Sequence, residues 1–383
     1  MSSAAPPRSV VTMLAVGAGL AAASLYYNQP MLAALARDLG ATPSLIGLVP
    51  TLTQLGYATG ILAFAPLGDR LDRRRVILVK CVALAAVLAV AALAPNAPVM
   101  IAASFALGLA ATTAQDLVPA AAAIAPAESR GRVVGMVMTG LLLGILLSRV
   151  VSGAVSQYAS WRAVFGGAAG AVVLLFALLA WRLPSFPPAT DRSYVALLAS
   201  IGALVRDLAP LRRAALAQAL LSFAFSGFWS TLALGLDAAP FHLSSTVAGA
   251  FGIAGAAGAL AAPLAGAASD KRGPESVARA GALVCLASFG AMAALAESLV
   301  ALAVGTVAFD AGAQSSLIAH QTIIYAQDPA ARSRLNAVLV SGMFVGMASG
   351  AFTASRVFAA WGLRGVLVLC AGASGVALLV RRR

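Results

Sequence analysis

The chain has 383 residues, 61% of them hydrophobic and 10% charged, with a formal net charge of +13 and a mean hydropathy of +0.93. Soluble domains are about half apolar and a quarter charged, so this composition excludes a water-soluble globule, and apolar stretches of about 18 residues or more recurring end to end exclude one large soluble core. The basic residues fall in short connections between apolar runs, which excludes a nucleic-acid-binding face, and Cys81, Cys285 and Cys370 stand apart, each inside an apolar run, with neither disulfide nor metal spacing.

In chain order, the apolar runs predict twelve transmembrane helices near 10–36, 44–65, 76–95, 98–124, 133–158, 162–182, 214–236, 246–268, 278–296, 299–325, 335–358 and 363–380. Ala21-Ala22-Ala23 resembles a signal cleavage site, but the apolar run behind Arg8 continues past it, so the first segment reads as an uncleaved span. Pro95-Asn96-Ala97-Pro98 breaks one connection, and Pro184, Pro187, Pro188 and Pro210 mark a longer linker. Twenty-one of the 26 Lys and Arg lie on one side of the spans, leaving Arg37, Arg162, Arg356 and Arg364 on the other and Arg149 within. That asymmetry predicts cytoplasmic termini in a bacterial inner membrane.

The second half repeats the first. An offset of about 202 residues superposes Arg130-Gly131-Arg132 on Arg332-Ser333-Arg334, Gly140 on Gly342, Gly144 on Gly346, and Tyr26-Tyr27 on Phe228-Trp229, while 201 superposes Asp69 on Asp270. The chain therefore divides into a six-helix bundle over 1–182, a cytoplasmic linker over 183–211 and a second six-helix bundle over 212–383, the parallel repeat that places a solute site between halves. Small residues at i, i+4 spacing let helices approach closely. Gly140, Gly144, Ser148, Ser152 and Ser156 form such a stripe in the fifth span, and Gly342, Gly346, Gly350 and Ala354 in the eleventh. With Gly249, Gly252, Gly255 and Gly258 in the eighth, these helices are expected to form the seam on which the halves rock.

Between spans two and three stands Ala65-Pro66-Leu67-Gly68-Asp69-Arg70-Leu71-Asp72-Arg73-Arg74-Arg75, and between eight and nine Gly266-Ala267-Ala268-Ser269-Asp270-Lys271-Arg272-Gly273. Both resemble the loop motif of the major facilitator superfamily, with Ala65 and Asp72 in place of its usual glycines in the first copy. Trp161-Arg162-Ala163-Val164-Phe165 resembles the same superfamily, and Tyr27-Asn28-Gln29-Pro30 its drug- and sugar-efflux branch, the arabinose-efflux-permease-like transporters. The resemblance covers the whole chain. It departs at Ser104, where an arginine is usual, and at Ser148-Arg149, where the antiporters have Gly-Pro. It implies an all-α membrane protein of two pseudo-symmetric six-helix bundles that works by alternating access. Gly68, Asp69, Arg70, Arg73, Arg74, Asp270 and Lys271 are then the gating loops. A helix N-terminus attracts a carboxylate, so Asp69 is expected to latch the start of span eleven, and Asp270 that of span five.

Charges at bilayer depth are costly and mark function. Asp116, Arg149 and Asp310 are the ones expected there. Arg149 has Ala351 at its repeat position, so the architecture does not demand it, and it is the first candidate to hold an anionic or polar substrate. Asp310, then Asp116, is the expected proton carrier. His320 is a weaker relay candidate, more readily explained as a hydrogen-bonded residue. Tyr26, Tyr27, Asn28, Gln29, Gln54, Gln115, Trp229 and Gln314 complete the expected pocket, beside a kink at Pro30.

No catalytic Ser-His arrangement, metal-ligand pair or nucleotide loop is present, so the chain is not expected to be an enzyme, nor to need a cofactor or a metal. The expected function is proton-coupled export of a small solute by a monomer whose partners are substrate, protons and lipid. Import of a small polar or anionic metabolite, or sensing without transport, remain the alternatives.

Overall fold

The computed structural model describes residues 8–126, 129–186, 188, 193–259, 262–328 and 331–381, and all their regular structure is helical. The first pass is α1 (Arg8–Ala23), a 3-10 turn at Gln29–Met31 and α2 (Leu32–Asp38). The second is α3 (Pro43–Ile46) and α4 (Leu48–Arg70), and the third α5 (Arg73–Ala92). The fourth is α6 (Ala97–Ala111) with α7 (Thr113–Ile124), followed by α8 (Arg130–Tyr158) and α9 (Trp161–Arg182). The linker carries a helix of its own, α10 (Tyr194–Asp207). The second half runs through α11 (Ala209–Asp237), α12 (Ser245–Ala259) with α13 (Ala262–Arg272), α14 (Pro274–Ala294), α15 (Leu299–Tyr325) and α16 (Arg332–Val380). α16 contains two passes folded at Gly362, whose φ of 62° lies in the left-handed region that glycine tolerates.

Nine helical segments among the described residues are long and apolar enough to cross a membrane, and the shorter apolar helices belong to the broken passes. Their lipid-facing sides carry apolar residues such as Val79, Leu93, Leu174 and Val304, each more than 60% exposed, as expected where the solvent is hydrocarbon. Helix starts are fixed by side-chain caps: the Asn96, Ser160 and Ser298 oxygens accept from Val99, Ala163 and Ala301 N–H at 3.1, 3.1 and 3.2 Å.

The first six passes pack on one another, α1 against α8, α4 against α6 and α5 against α9, and so do the last six, α11 against α16 and α14 against α15. The glycine stripes mostly serve this packing within each half. A Cβ on Gly140 would meet the Ala15 backbone and one on Gly144 the Gly19 backbone; on Gly346 and Gly350 it would meet the Ala219 and Phe223 carbonyls. The helices that carry the stripes do meet across the halves, α8 against α12 and α16 against α4, but most of the stripe glycines do not lie at that contact. Gly153, Gly249 and Gly252 do: a Cβ on Gly249 would strike the Arg149 carbonyl, and one on Gly252 would lie 3.0 Å from Arg149 Cβ. The spacing i, i+4 signals close approach and not which helix approaches.

Seen from the face where both ends of the described chain lie, the basic face, the halves diverge around a cavity. At the opposite face they are closed. There the Arg37 guanidinium pairs with Asp237 at 2.6 Å, Ser245 Oγ donates to the Gly153 carbonyl at 3.1 Å, and Gly47 lies against Ser355.

Candidate functional site

Pro30 cannot donate an N–H to Tyr26, and its ring crowds that carbonyl. The first pass therefore unwinds, Gln29 N donating to the Tyr26 carbonyl at 3.2 Å and Tyr26 N to that of Ala23 at 3.0 Å. A 3-10 interruption in mid-pass is a common mark of a hinge or site. It aims Tyr26 and Gln29 at α8, where Arg149 stands.

Arg149 is 5% exposed. Its Nε donates to Gln29 Oε1 at 2.9 Å, and its guanidinium carbon lies 4.2 Å from the Trp229 ring centroid, 4.8 Å from Tyr26 and 5.9 Å from Phe225. Cation–π contacts of this kind are worth about 0.5–2 kcal/mol each, less than the several kcal/mol that desolvating one ion costs. The remainder is not covered by an ion pair, since among the described residues no carboxylate lies within 4.0 Å of Arg149 and Nη2 finds no hydrogen-bond partner. Asp310 on α15 is also 5% exposed, and its Oδ1 is unpartnered. The two charges come close through α12. The Arg149 side chain packs on Gly252, while Asp310 Oδ2 and the Trp229 ring pack on Gly255.

Below this cluster, toward the basic face, lies a cavity of about 540 Å³. Tyr26 forms its inner end; Tyr57, Gln115 and Asp116 line it from the first half, and Tyr325, Asn336 and Phe344 from the second. The Tyr57 and Phe344 rings meet across the halves at 4.4 Å. Gln115 Nε2 donates to the Tyr57 hydroxyl at 2.9 Å, and Tyr325 Oη donates to Asn336 Oδ1 at 2.8 Å. Ile201 of α10 borders the mouth, and the Tyr194 hydroxyl ties that helix to the Ala63 carbonyl at 2.9 Å.

Lys80 is a buried charge that the sequence pattern concealed. It closes a basic run and counts there as a loop residue, yet it is 8% exposed and pairs with Asp116 at 2.6 Å. The charged residues at depth are thus more than Asp116, Arg149 and Asp310. A lysine one turn inside a predicted apolar helix, with an aspartate in the adjacent span, was the available signal. Gly68 sits against this pair, where a Cβ would lie 3.1 Å from Asp116 Oδ1. Of the gating-loop residues, Arg73 lines the cavity, Arg70 and Lys271 are exposed, and Arg74 Nη2 donates to the Ala180 carbonyl at 2.6 Å. The side chains of Asp69 and Asp270 lie outside the described residues. Asp72 caps α5 by accepting from Arg74 N at 2.9 Å, and accepts from Phe186 N and Ser185 Oγ, both at 3.0 Å, at the start of the linker. Burial works to raise its pKa, but these hydrogen bonds and Arg75 hold the carboxyl below the usual range.

The expected pocket residues separate into groups. Tyr26, Gln29, Trp229, Arg149 and Asp310 converge, and Gln115 stands in the cavity. Asn28 Nδ2 donates to Thr53 Oγ1 at 3.3 Å, and Gln54, fully buried, has neither amide atom partnered. Tyr27 faces a separate apolar groove between α1 and α8, and Gln314 is half-buried and borders neither cavity. His320 is fully buried, its Nδ1 3.0 Å from Gln218 Oε1. Phe225 stacks on the same guanidinium as Tyr26 and Trp229, a role its helical spacing alone did not distinguish from packing.

The family model of the Major Facilitator Superfamily matches residues 14–232 and 214–383. The chain is 38% identical over 373 residues to the transporter YgaY of Escherichia coli O157:H7, covering 97% of this chain and 94% of that protein. It is 34% identical over 365 residues to the probable transporter SCO4007 of Streptomyces coelicolor, 95% of this chain and 85% of that one. In fold it is similar to an inward-facing bacterial homologue of the human lysosomal transporter Spinster, with a TM-score of 0.80, 17% identity, and 98% and 97% of the two chains covered. It is also similar to partially occluded, inward-open XylE, the xylose transporter of E. coli, with a TM-score of 0.71, 15% identity, and 97% and 96% covered. The family match along nearly the whole chain and relatives more than a third identical over most of their length show that the chain belongs to the major facilitator superfamily and is a membrane transporter, not an enzyme.

Proposed function

We propose that the protein exports a small polar or anionic solute across the bacterial inner membrane in exchange for protons, working as a monomer with its basic face and both termini in the cytoplasm. Arg149 holds the solute and Asp310 carries the proton. The observation behind this reading is the pair of buried, incompletely partnered charges where the halves meet, above a cavity open to one face and closed to the other. Desolvation favours the neutral carboxyl, so a proton on Asp310 and a solute on Arg149 are alternative ways of relieving the same site. Opening toward the other face requires parting the Gly153–Gly249 contact and the Arg37–Asp237 pair. Asp116, already bound to Lys80, serves as an anchor for the cavity wall more readily than as a carrier.

The test uses purified protein in proteoliposomes with an imposed pH gradient, an entrapped pH-sensitive dye, and a panel of amino acids, carboxylates, sugars and amines. Saturable solute flux opposed to proton flux, lost in Asp310→Asn, is the expected result. Solute and protons moving the same way would make the protein an importer, solute flux without proton movement would remove the coupling, and binding without flux would make it a sensor.

A further inference from the structure

The unpartnered atoms around Arg149 are of two kinds, and they are sorted in space. On one side stand donors, Arg149 Nη2 and Gln29 Nε2, on residues 5% and 1% exposed, while the Trp229 ring lies against both the guanidinium and, on Gly255, Asp310. The amide orientation of Gln29 is not free, because Arg149 only donates and so fixes Oε1 as its acceptor, leaving Nε2 to face the site. On the other side stands one acceptor, Asp310 Oδ1. The two sides are registered on a single helix face. The Arg149 Cβ and Cδ lie over Gly252 and Asp310 Oδ2 over Gly255, glycines three residues apart on α12 whose Cβ positions are about 5–6 Å from one another. No ion pair within 4.0 Å joins the two charges, and the Trp229 ring packs against both, so each keeps an unpartnered atom for a ligand.

We infer that these unpartnered groups, with the Trp229 ring as their wall, form the recognition site for a small zwitterion of the α-amino acid class. Its carboxylate meets Arg149 and Gln29, and its ammonium meets Asp310. The rest of the ligand points past Tyr26 into the cavity, where Tyr57, Met343 and Phe344 offer an apolar and aromatic wall. A purely anionic ligand would leave Asp310 unmatched and bring a second negative charge beside it; a purely cationic one would do the same at Arg149. This assignment rests on the transporter reading above and narrows its substrate.

The experiment is a thermal-unfolding screen of the purified full chain in detergent with L-leucine, L-methionine and L-phenylalanine, each beside its amide, which lacks the carboxylate, and its N-acetyl form, which lacks the ammonium. At least one free amino acid is expected to stabilise the protein with an apparent affinity ten-fold or more above both blocked forms. Asp310→Asn is expected to bring the N-acetyl form level with the free acid, and Arg149→Gln to bring the amide level with it. Blocked forms binding within three-fold of the free acid in the wild type would overturn the inference without recourse to any variant. So would the absence of any shift. Should saturable flux of another solute class appear in the proteoliposome panel, the zwitterion assignment alone would fall and the transporter reading would stand.

Discussion

Breaking the Lys80–Asp116 pair isolates one energetic element of the cavity wall. The charges are 2.6 Å apart with side chains 9% and 8% exposed. At an effective dielectric of about 20, their attraction is about 6 kcal/mol, offset by a desolvation cost of several kcal/mol for each ion. The net worth of the pair against an apolar pair of similar volume is therefore near zero, whereas Lys80 without Asp116 is left as an uncompensated buried charge. Asp116→Asn should destabilise the protein by about 3–5 kcal/mol and Lys80→Met by less, while Lys80→Met with Asp116→Leu should return to within about 1 kcal/mol of wild type. Reversible unfolding in mixed micelles across the four-member cycle measures this. Single variants within about 1 kcal/mol of wild type, with additive effects, would refute the reasoning, because they would mean that water reaches the pair and screens it.

Gly346→Val is expected to cost about 1–3 kcal/mol by overpacking, since its Cβ strikes the Ala219 backbone inside the second half. Gly249→Val, whose Cβ strikes the Arg149 carbonyl across the seam, should instead prise open the closed face, raising thiol-reagent access there with little change in unfolding temperature. Asp72→Ala removes an N-cap worth about 1 kcal/mol and frees residues 185–186, which protease sensitivity of the linker reports. Because the Asp72 pKa is depressed in the folded protein, its contribution is fully present above the unfolded value of about 3.9 and is lost as pH falls through the folded value; unfolding midpoints of wild type and Asp72→Ala should therefore converge on acidification.

The span count was legible from the apolar runs, and the burial of Arg149 and Asp310 because a charge inside an apolar run is costly enough to be conspicuous. Lys80 was not, because a lysine ending a basic run resembles a loop residue until its partner on another pass is placed beside it. Tyr26 and Tyr27 could not be told apart either. Helical periodicity assigns faces only while the helix continues, and Pro30 ends it there, sending Tyr26 to Arg149 and Tyr27 to a separate groove. The glycine stripes announced close approach, but the neighbour each one meets depends on the packing of whole helices. The helix within the linker went unread behind the prolines that flank it.

The account turns on the two halves exchanging which face is open, under control of the proton on Asp310. Spin-label distances across each face test this most directly, with labels at Arg70 and Lys271 on the basic face and at Tyr158 and Trp361 on the other, all exposed. Acidification should lengthen one distance as the other shortens, and Asp310→Asn should hold the acid distribution at every pH. A single distance at each face, unmoved by pH and by the substitution, would contradict it.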